Sequence, residues 1–237
     1  MSMSVLNGIT LYAIGDSVFF GNGIGKSFSY PSLLAKKYNM NYVNDGVSGS
    51  TIAYFDGYPK NKIPMCLRWK NTFPSDVPDI ILIEGGMNDR SRKIPIGSVD
   101  SCDIRTFLGA INTMLDEISK AYPGALIICI TGWKRKDKWF ADDVGTTQDY
   151  VDAMVLLCKT RNVPCIDASD VKKSHIDMTE LEFRKKYCIA PDDTGHLNKQ
   201  GMELIFPFIE STVFNLYKAH IKNQEMRAIH KRSSYDL

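Results

Sequence analysis

Four short segments carry residue types able to do nucleophilic chemistry, and each comes after an apolar run. Gly15-Asp16-Ser17 ends the first such run, Ile9 to Ile14. A serine at the end of a buried strand can project its hydroxyl from the sheet edge. That hydroxyl is a poor nucleophile until a base removes its proton. Of the four histidines, His196, in Asp193-Thr194-Gly195-His196, is best placed to be the base. A free imidazole titrates near pH ~6.5, so it can take a proton at neutral pH and return it to a leaving group. Asp193 stands three residues before His196, and such a pair shares one side of a tight or helical turn. Its carboxylate would hold the Nδ1 proton and leave Nε2 facing Ser17. Ser17, Asp193 and His196 are the expected catalytic residues.

Attack on an ester carbonyl makes a negative oxygen, which needs donors fixed in advance. The backbone N–H groups of Ser17 and Gly46 and the side-chain amide of Asn88 are the candidates. Gly46 lies in Asn44-Asp45-Gly46, and Asn88 in Gly85-Gly86-Met87-Asn88-Asp89. Gly46 lacks a Cβ, which lets its backbone approach a substrate closely. Asp16, beside the nucleophile, is expected to brace the turn through backbone hydrogen bonds. Asp192 is expected to be solvated.

These segments need a scaffold that gathers them. Apolar runs at Ile9–Ile14, Asn41–Asn44, Asp79–Glu84, Ala125–Thr131 and Val163–Asp167 read as strands. Helical spacing alternates with them at Ser29–Tyr38, Ile63–Asn71, Asp103–Tyr122, Thr147–Thr160 and Asn198–Tyr217. Alternation of this kind predicts an α/β fold: a five-stranded parallel sheet between two helical layers, in a flavodoxin-like order. In such a sheet, ligands bind beyond the carboxyl ends of the strands. All four segments follow strand ends, so the topology brings them to one edge. No repeat, linker or second core interrupts residues 1–218, which are expected to form one domain. The tail 219–237 is polar and basic, and reads as a frayed helix or disorder, with an oligomer contact as the other reading.

The chain has 237 residues, of which 44% are hydrophobic and 24% charged, enough for a full core. A net charge of +2 gives no case for nucleic acid. No apolar stretch reaches the ~20 residues of a bilayer span, and no leader is visible, so neither membrane attachment nor export is expected. The six cysteines are scattered without a C-x-x-C pair. They read as free thiols of a reducing cytoplasm, with neither disulfides nor zinc. His175, His220 and His230 have no partner pattern and read as surface residues. His175 with Asp177 offers two ligands without a third, which makes a poor metal site. Gly21-Asn22-Gly23-Ile24-Gly25-Lys26-Ser27 fails the phosphate-loop pattern because Phe20 occupies the first glycine position.

In this order and spacing the four segments resemble the four blocks of the SGNH (GDSL-type) hydrolase family. The likeness covers the chain from about Ile9 to Phe208. It implies a three-layer α/β/α fold and a serine esterase or lipase-like hydrolase that needs no metal or other cofactor. It also implies the roles given above to Ser17, Gly46, Asn88, Asp193 and His196. The sequence departs from the family after Ser17, where Val18-Phe19-Phe20 replaces a small polar residue two places on.

That departure bears on the substrate. Phe19 or Phe20 is expected to narrow or grease the pocket. Tyr54 follows the second strand, and Trp133 and Trp139 the fourth; each is a candidate wall for a sugar or acyl group. The basic residues around Trp133 would favour an anion. With no apolar lid segment, a small-molecule ester, short-chain or an acetylated sugar, is expected ahead of a long lipid.

Overall fold

The computed structural model describes residues 4–73, 76–136 and 144–233, with side chains to residue 229. Its strands are β1 (Thr10–Gly15), β2 (Asn41–Gly46), β3 (Ile80–Glu84), β4 (Leu126–Ile130), β5 (Lys134–Arg135), β6 (Cys165–Ile166) and β7 (Asp177–Met178). Five of them form one parallel sheet in the order β2-β1-β3-β4-β6. This is the expected flavodoxin-like arrangement. β5 and β7 form a separate two-stranded parallel ribbon, too short to leave a periodic signal in the sequence.

Alternation along the strands sorts side chains to two faces. Leu11 and Ala13 of β1, with Ile80 and Leu82 of β3, enter one core, and Tyr12, Ile14, Ile81 and Ile83 enter the other. The first core is closed by α1 (Ser17–Phe20), α2 (Tyr30–Lys37) and α9 (Lys199–Ser233). The second is closed by α3 (Met65–Thr72), α5 (Phe107–Ala121) and α6 (Thr147–Thr160). Continuous apolar strands are what a sheet covered on both faces requires. Among the described residues there are also the short helices α4 (Met87–Ser91), α7 (Val171–Ser174) and α8 (Leu181–Tyr187), and a 3-10 turn at Lys26–Phe28.

Element edges differ from the sequence reading for local reasons. α5 starts at Phe107, not Asp103, because Thr106 caps it by accepting from Gly109 N–H at 3.2 Å. β6 is confined to two residues and lies at the sheet edge. Pro164, just before it, has no N–H to give a ladder, although its carbonyl accepts from Cys129 N–H at 3.0 Å. α9 does not stop near Tyr217 but runs to Ser233, so the polar tail is helical that far. At the surface there, His220 Nε2 sits 3.0 Å from Gly124 O, and Gln224 donates to the same carbonyl at 2.9 Å. All six cysteines are free. Among the described residues, no helix is long and apolar enough to cross a membrane.

Candidate active site

The turn after β1 is shaped by Asp16 and Phe19, on either side of Ser17. Asp16 caps α1: its Oδ1 accepts from Val18 N–H at 3.0 Å. Its main job is thus the bracing expected from the sequence. Phe19 folds back over β1, where a Cβ on Gly15 would come within 2.7 Å of its ring. The ring is fully buried and packs edge-on against Tyr30, with centroids 5.3 Å apart. Phe19 therefore belongs to the core and not to a pocket, because the chain turns back into α1 immediately after Ser17. Ser17 itself stands at the first position of α1, where helix geometry leaves N–H groups without an intrahelical acceptor.

His196 arrives from the turn between α8 and α9. Asp193 Oδ1 accepts from the N–H groups of Gly195 at 2.7 Å and His196 at 2.8 Å. Its Oδ2 lies 2.9 Å from His196 Nδ1, and His196 Nε2 lies 2.9 Å from Ser17 Oγ. Burial alone would raise the Asp193 carboxyl, but these hydrogen bonds outweigh it and hold it down to about 2. The aspartate stays ionised at neutral pH and fixes the tautomer with its proton on Nδ1. Asp192 is exposed, as expected. Trp133 supports the same turn: it is 4% exposed and its Nε1 donates to Gly195 O at 3.2 Å. It is a strut under the histidine and not a stacking wall.

Asn88 lies in α4, beyond β3. Its Nδ2 donates to Asp16 Oδ2 at 2.9 Å and to Ser50 O at 3.0 Å. The neighbouring Asp89 is fully buried and accepts from Ile52 N–H at 3.0 Å and Ala53 N–H at 2.9 Å. Burial, only partly offset by those bonds, pushes its carboxyl up to about 7. Asp89 thus ties the loop after β2 to α4. The sequence reading passed over it, although it adjoins Asn88 in the same segment.

Gly46 is placed differently from the expectation. Its N–H donates to Asn44 Oδ1 at 2.8 Å, and a Cβ on it would fall 2.3 Å from Phe20 N. The missing side chain makes room for the backbone of α1, not for substrate. Three residues on, Gly49 adopts φ +77°, and the Ser50 carbonyl beside it is the one bonded to Asn88.

Behind Asp16 lies a second buried carboxyl, Glu84, whose Oε2 accepts from Asp16 N–H at 3.4 Å. Burial pushes both acids up, and the nearby Asp16 charge pushes Glu84 further. Both carboxyls are thus held above the ordinary range, Glu84 well above it, and the Asn88 amide donates to Asp16 from the pocket side.

The pocket over Ser17 has a volume of about 220 Å³ and is walled by Val18, Met87, Asn88, Ser91, Arg135 and His196. Of the proposed substrate contacts, neither Phe20 nor Tyr54 lines it. Phe20 is 44% exposed, outside the pocket. The Tyr54 ring is covered by the Arg105 guanidinium at 4.7 Å, and its hydroxyl donates to Asp56 at 2.7 Å. Trp139 lies outside the described residues. Arg135 does reach the pocket, from the ribbon strand β5, so the basic segment after β4 contributes a cation where aromatics were expected.

The family model for GDSL-like lipases and acylhydrolases matches residues 13–204. No curated protein sequence matches the chain. Solved structures do. A protein from Lactobacillus plantarum is 24% identical with a TM-score of 0.73, over 87% of this chain and 97% of its own. A candidate GDSL-like lipase from Bacteroides ovatus is 19% identical with a TM-score of 0.62, over 87% and 98%. A family two carbohydrate esterase from Clostridium thermocellum, solved with cellohexaose, is 17% identical with a TM-score of 0.61, over 88% of this chain and 65% of that one.

Proposed function

Because the chain belongs to the GDSL-like lipase/acylhydrolase family, we propose that it hydrolyses small carboxylic esters through a Ser17–His196–Asp193 triad. The observation that carries this reading is the unbroken chain of contacts from Asp193 Oδ2 through the imidazole to Ser17 Oγ, each 2.9 Å long. Ser17 Oγ attacks the ester carbonyl carbon as its proton passes to His196 Nε2. Asp193 stabilises the imidazolium without taking the proton. The tetrahedral intermediate collapses, and the imidazolium protonates the departing alcohol. Water, deprotonated by the same nitrogen, then releases the acid from the acyl-enzyme.

In this reading the oxyanion is received by Ser17 N–H and the Asn88 amide. Since Gly46 N–H is committed to Asn44, the loop after β2 contributes Gly49 N–H in its place. Support comes from the Ser50–Asn88 hydrogen bond, which sets the Gly49–Ser50 segment beside the amide.

The pocket favours a short acyl group. Val18 and Met87 supply modest apolar surface, while Ser91, Arg135 and Asn88 are polar. An alcohol part rich in hydroxyls, such as an acetylated sugar, suits that wall better than a lipid chain. The likeness to a carbohydrate esterase points the same way.

A fluorophosphonate probe followed by peptide mapping tests the chemistry. Covalent labelling at Ser17 is expected. Absence of labelling, together with no turnover across a panel of acetyl to octanoyl esters, would overturn the reading.

A further inference from the structure

Arg68 lies in α3 and touches neither Ser17 nor His196, yet all five of its N–H donors are committed. Nε donates to Asp45 Oδ2 at 3.0 Å. Nη1 donates to Ser50 Oγ and, at 2.9 Å, to Ile63 O. Nη2 donates to Gly15 O at 2.7 Å and to Asp45 O at 2.9 Å. The residue is only 3% exposed, so the guanidinium has left water for these partners. Such burial costs free energy unless the geometry is complete, and here Asp45 supplies the countercharge.

The acceptors have a common location. Gly15 is two residues before Ser17. Asp45 and Ser50 bracket the loop that contains Gly49. Ser50 O also accepts from Asn88 Nδ2 at 3.0 Å. The β1–β2 register ends at the Gly15–Gly46 pair, so the sheet ladder itself stops where these loops begin. One planar fork therefore ties the turn before Ser17 to the loop that contains Gly49, and the Ser50 carbonyl carries that tie on to the Asn88 amide.

We infer that Arg68 is a positioning residue that holds the oxyanion hole in register from behind. The inference rests on the triad reading above. Lysine cannot replace the fork, because an ammonium is a single point of three donors on a flexible stem. A misplacement of about 1 Å in such a site costs on the order of 100-fold in rate. The loss should fall on kcat, since donors that strengthen in the transition state are the ones displaced.

The geometry also offers a direct chemical check. A cleft of about 220 Å³, lined by Asp45, Val47, Lys60, Ile63 and Thr72, opens beside the Arg68 side chain. Free guanidinium can enter it when the side chain is shortened.

The test compares wild type with Arg68→Lys, Arg68→Ala and Ser50→Ala on a short-chain ester. Thermal unfolding and circular dichroism confirm that each variant is folded. We expect kcat of Arg68→Lys to fall toward ~100-fold with KM little changed, and fluorophosphonate labelling of Ser17 to slow in parallel. Ser50→Ala should show a smaller loss of the same kind. Millimolar guanidinium should restore part of the rate of Arg68→Ala, while equal sodium chloride should not. A folded Arg68→Lys with wild-type kcat would overturn the inference. If the Arg68 variants do not fold, an unchanged kcat in Ser50→Ala overturns it instead. Wild-type labelling at Ser17 separates these results from failure of the triad reading, which would remove the inference along with the reaction.

Discussion

Asn88 Nδ2 donates to Asp16 Oδ2 at 2.9 Å, so the amide proposed to receive the oxyanion is held by a side chain of the turn that carries Ser17. Its second hydrogen goes to Ser50 O. Binding the tetrahedral intermediate must exchange one of these bonds for another. The amide is thereby kept oriented and never left unsatisfied.

Asn88→Ala should therefore lower kcat by on the order of 100- to 1,000-fold, with a much smaller effect on KM. Steady-state kinetics on a chromogenic ester decide this. A change confined to KM would argue that Asn88 only binds substrate.

Ser17→Ala should abolish turnover and leave the unfolding temperature close to wild type. The serine is half-buried and its Oγ bonds chiefly to His196. Retained hydrolysis in a folded variant would sink the nucleophile assignment.

Asp193→Asn should cost on the order of 10,000-fold in kcat, because the amide no longer enforces the tautomer. It should also change acid stability. The Asp193 carboxyl is held at about 2 when folded, below the ~3.9 of an unfolded aspartate. Its contribution is complete above pH ~4 and is lost as pH falls toward 2. Acid unfolding curves of wild type should lose stability through that window faster than those of Asp193→Asn. Parallel curves would contradict the assigned hydrogen bonds.

Glu84→Gln should behave in the opposite sense. Burial raises the Glu84 carboxyl well above its ordinary value, so the folded protein resists its ionisation while an unfolded chain ionises near pH ~4.3. Wild-type stability should decline, relative to Glu84→Gln, as pH rises above that point. Melting temperatures of the two proteins from pH 5 to 9 should diverge in favour of the variant. A constant gap would mean that Glu84 is ionised when folded.

The adjacent Phe19 and Phe20 give a contrast. Phe19→Ala should destabilise the fold by about 3–5 kcal/mol, the usual cost of emptying a core ring. Phe20→Ala, at an exposed position, should stay within about 0.5 kcal/mol. Equal stability of both variants, by denaturant unfolding, would contradict the burial of Phe19.

The main strands and helices were legible because their apolar periods are long enough to register. So was the grouping of Ser17, Asp193 and His196, since a strand-end serine and an Asp-x-x-His turn are local patterns that the topology brings together. What escaped the sequence reading depends on contacts between distant segments. Phe19 and Phe20 are adjacent and alike, and only the backward turn of α1 sends one inward. Trp133 reads equally as wall or strut until Gly195 O, 62 residues away, is placed against its indole. Arg68 sits in an unremarked helical stretch, and its partners span residues 15 to 63. Gly46 looked like a donor because glycines near a site invite that reading, but its N–H answers to Asn44, two residues earlier.

The close approach of α1 to Gly46 limits how this site can drift over generations. A Cβ at 46 would stand 2.3 Å from the backbone nitrogen of Phe20 and 2.5 Å from the carbonyl carbon of Phe19. Backbone atoms cannot step aside as a side chain can. A side chain at 46 would require α1, which carries Ser17, to move away from β2. Val18, Met87, Ser91 and Arg135, whose side chains wall the pocket, are free of that constraint. The seam between the second strand and the serine can change only as a unit.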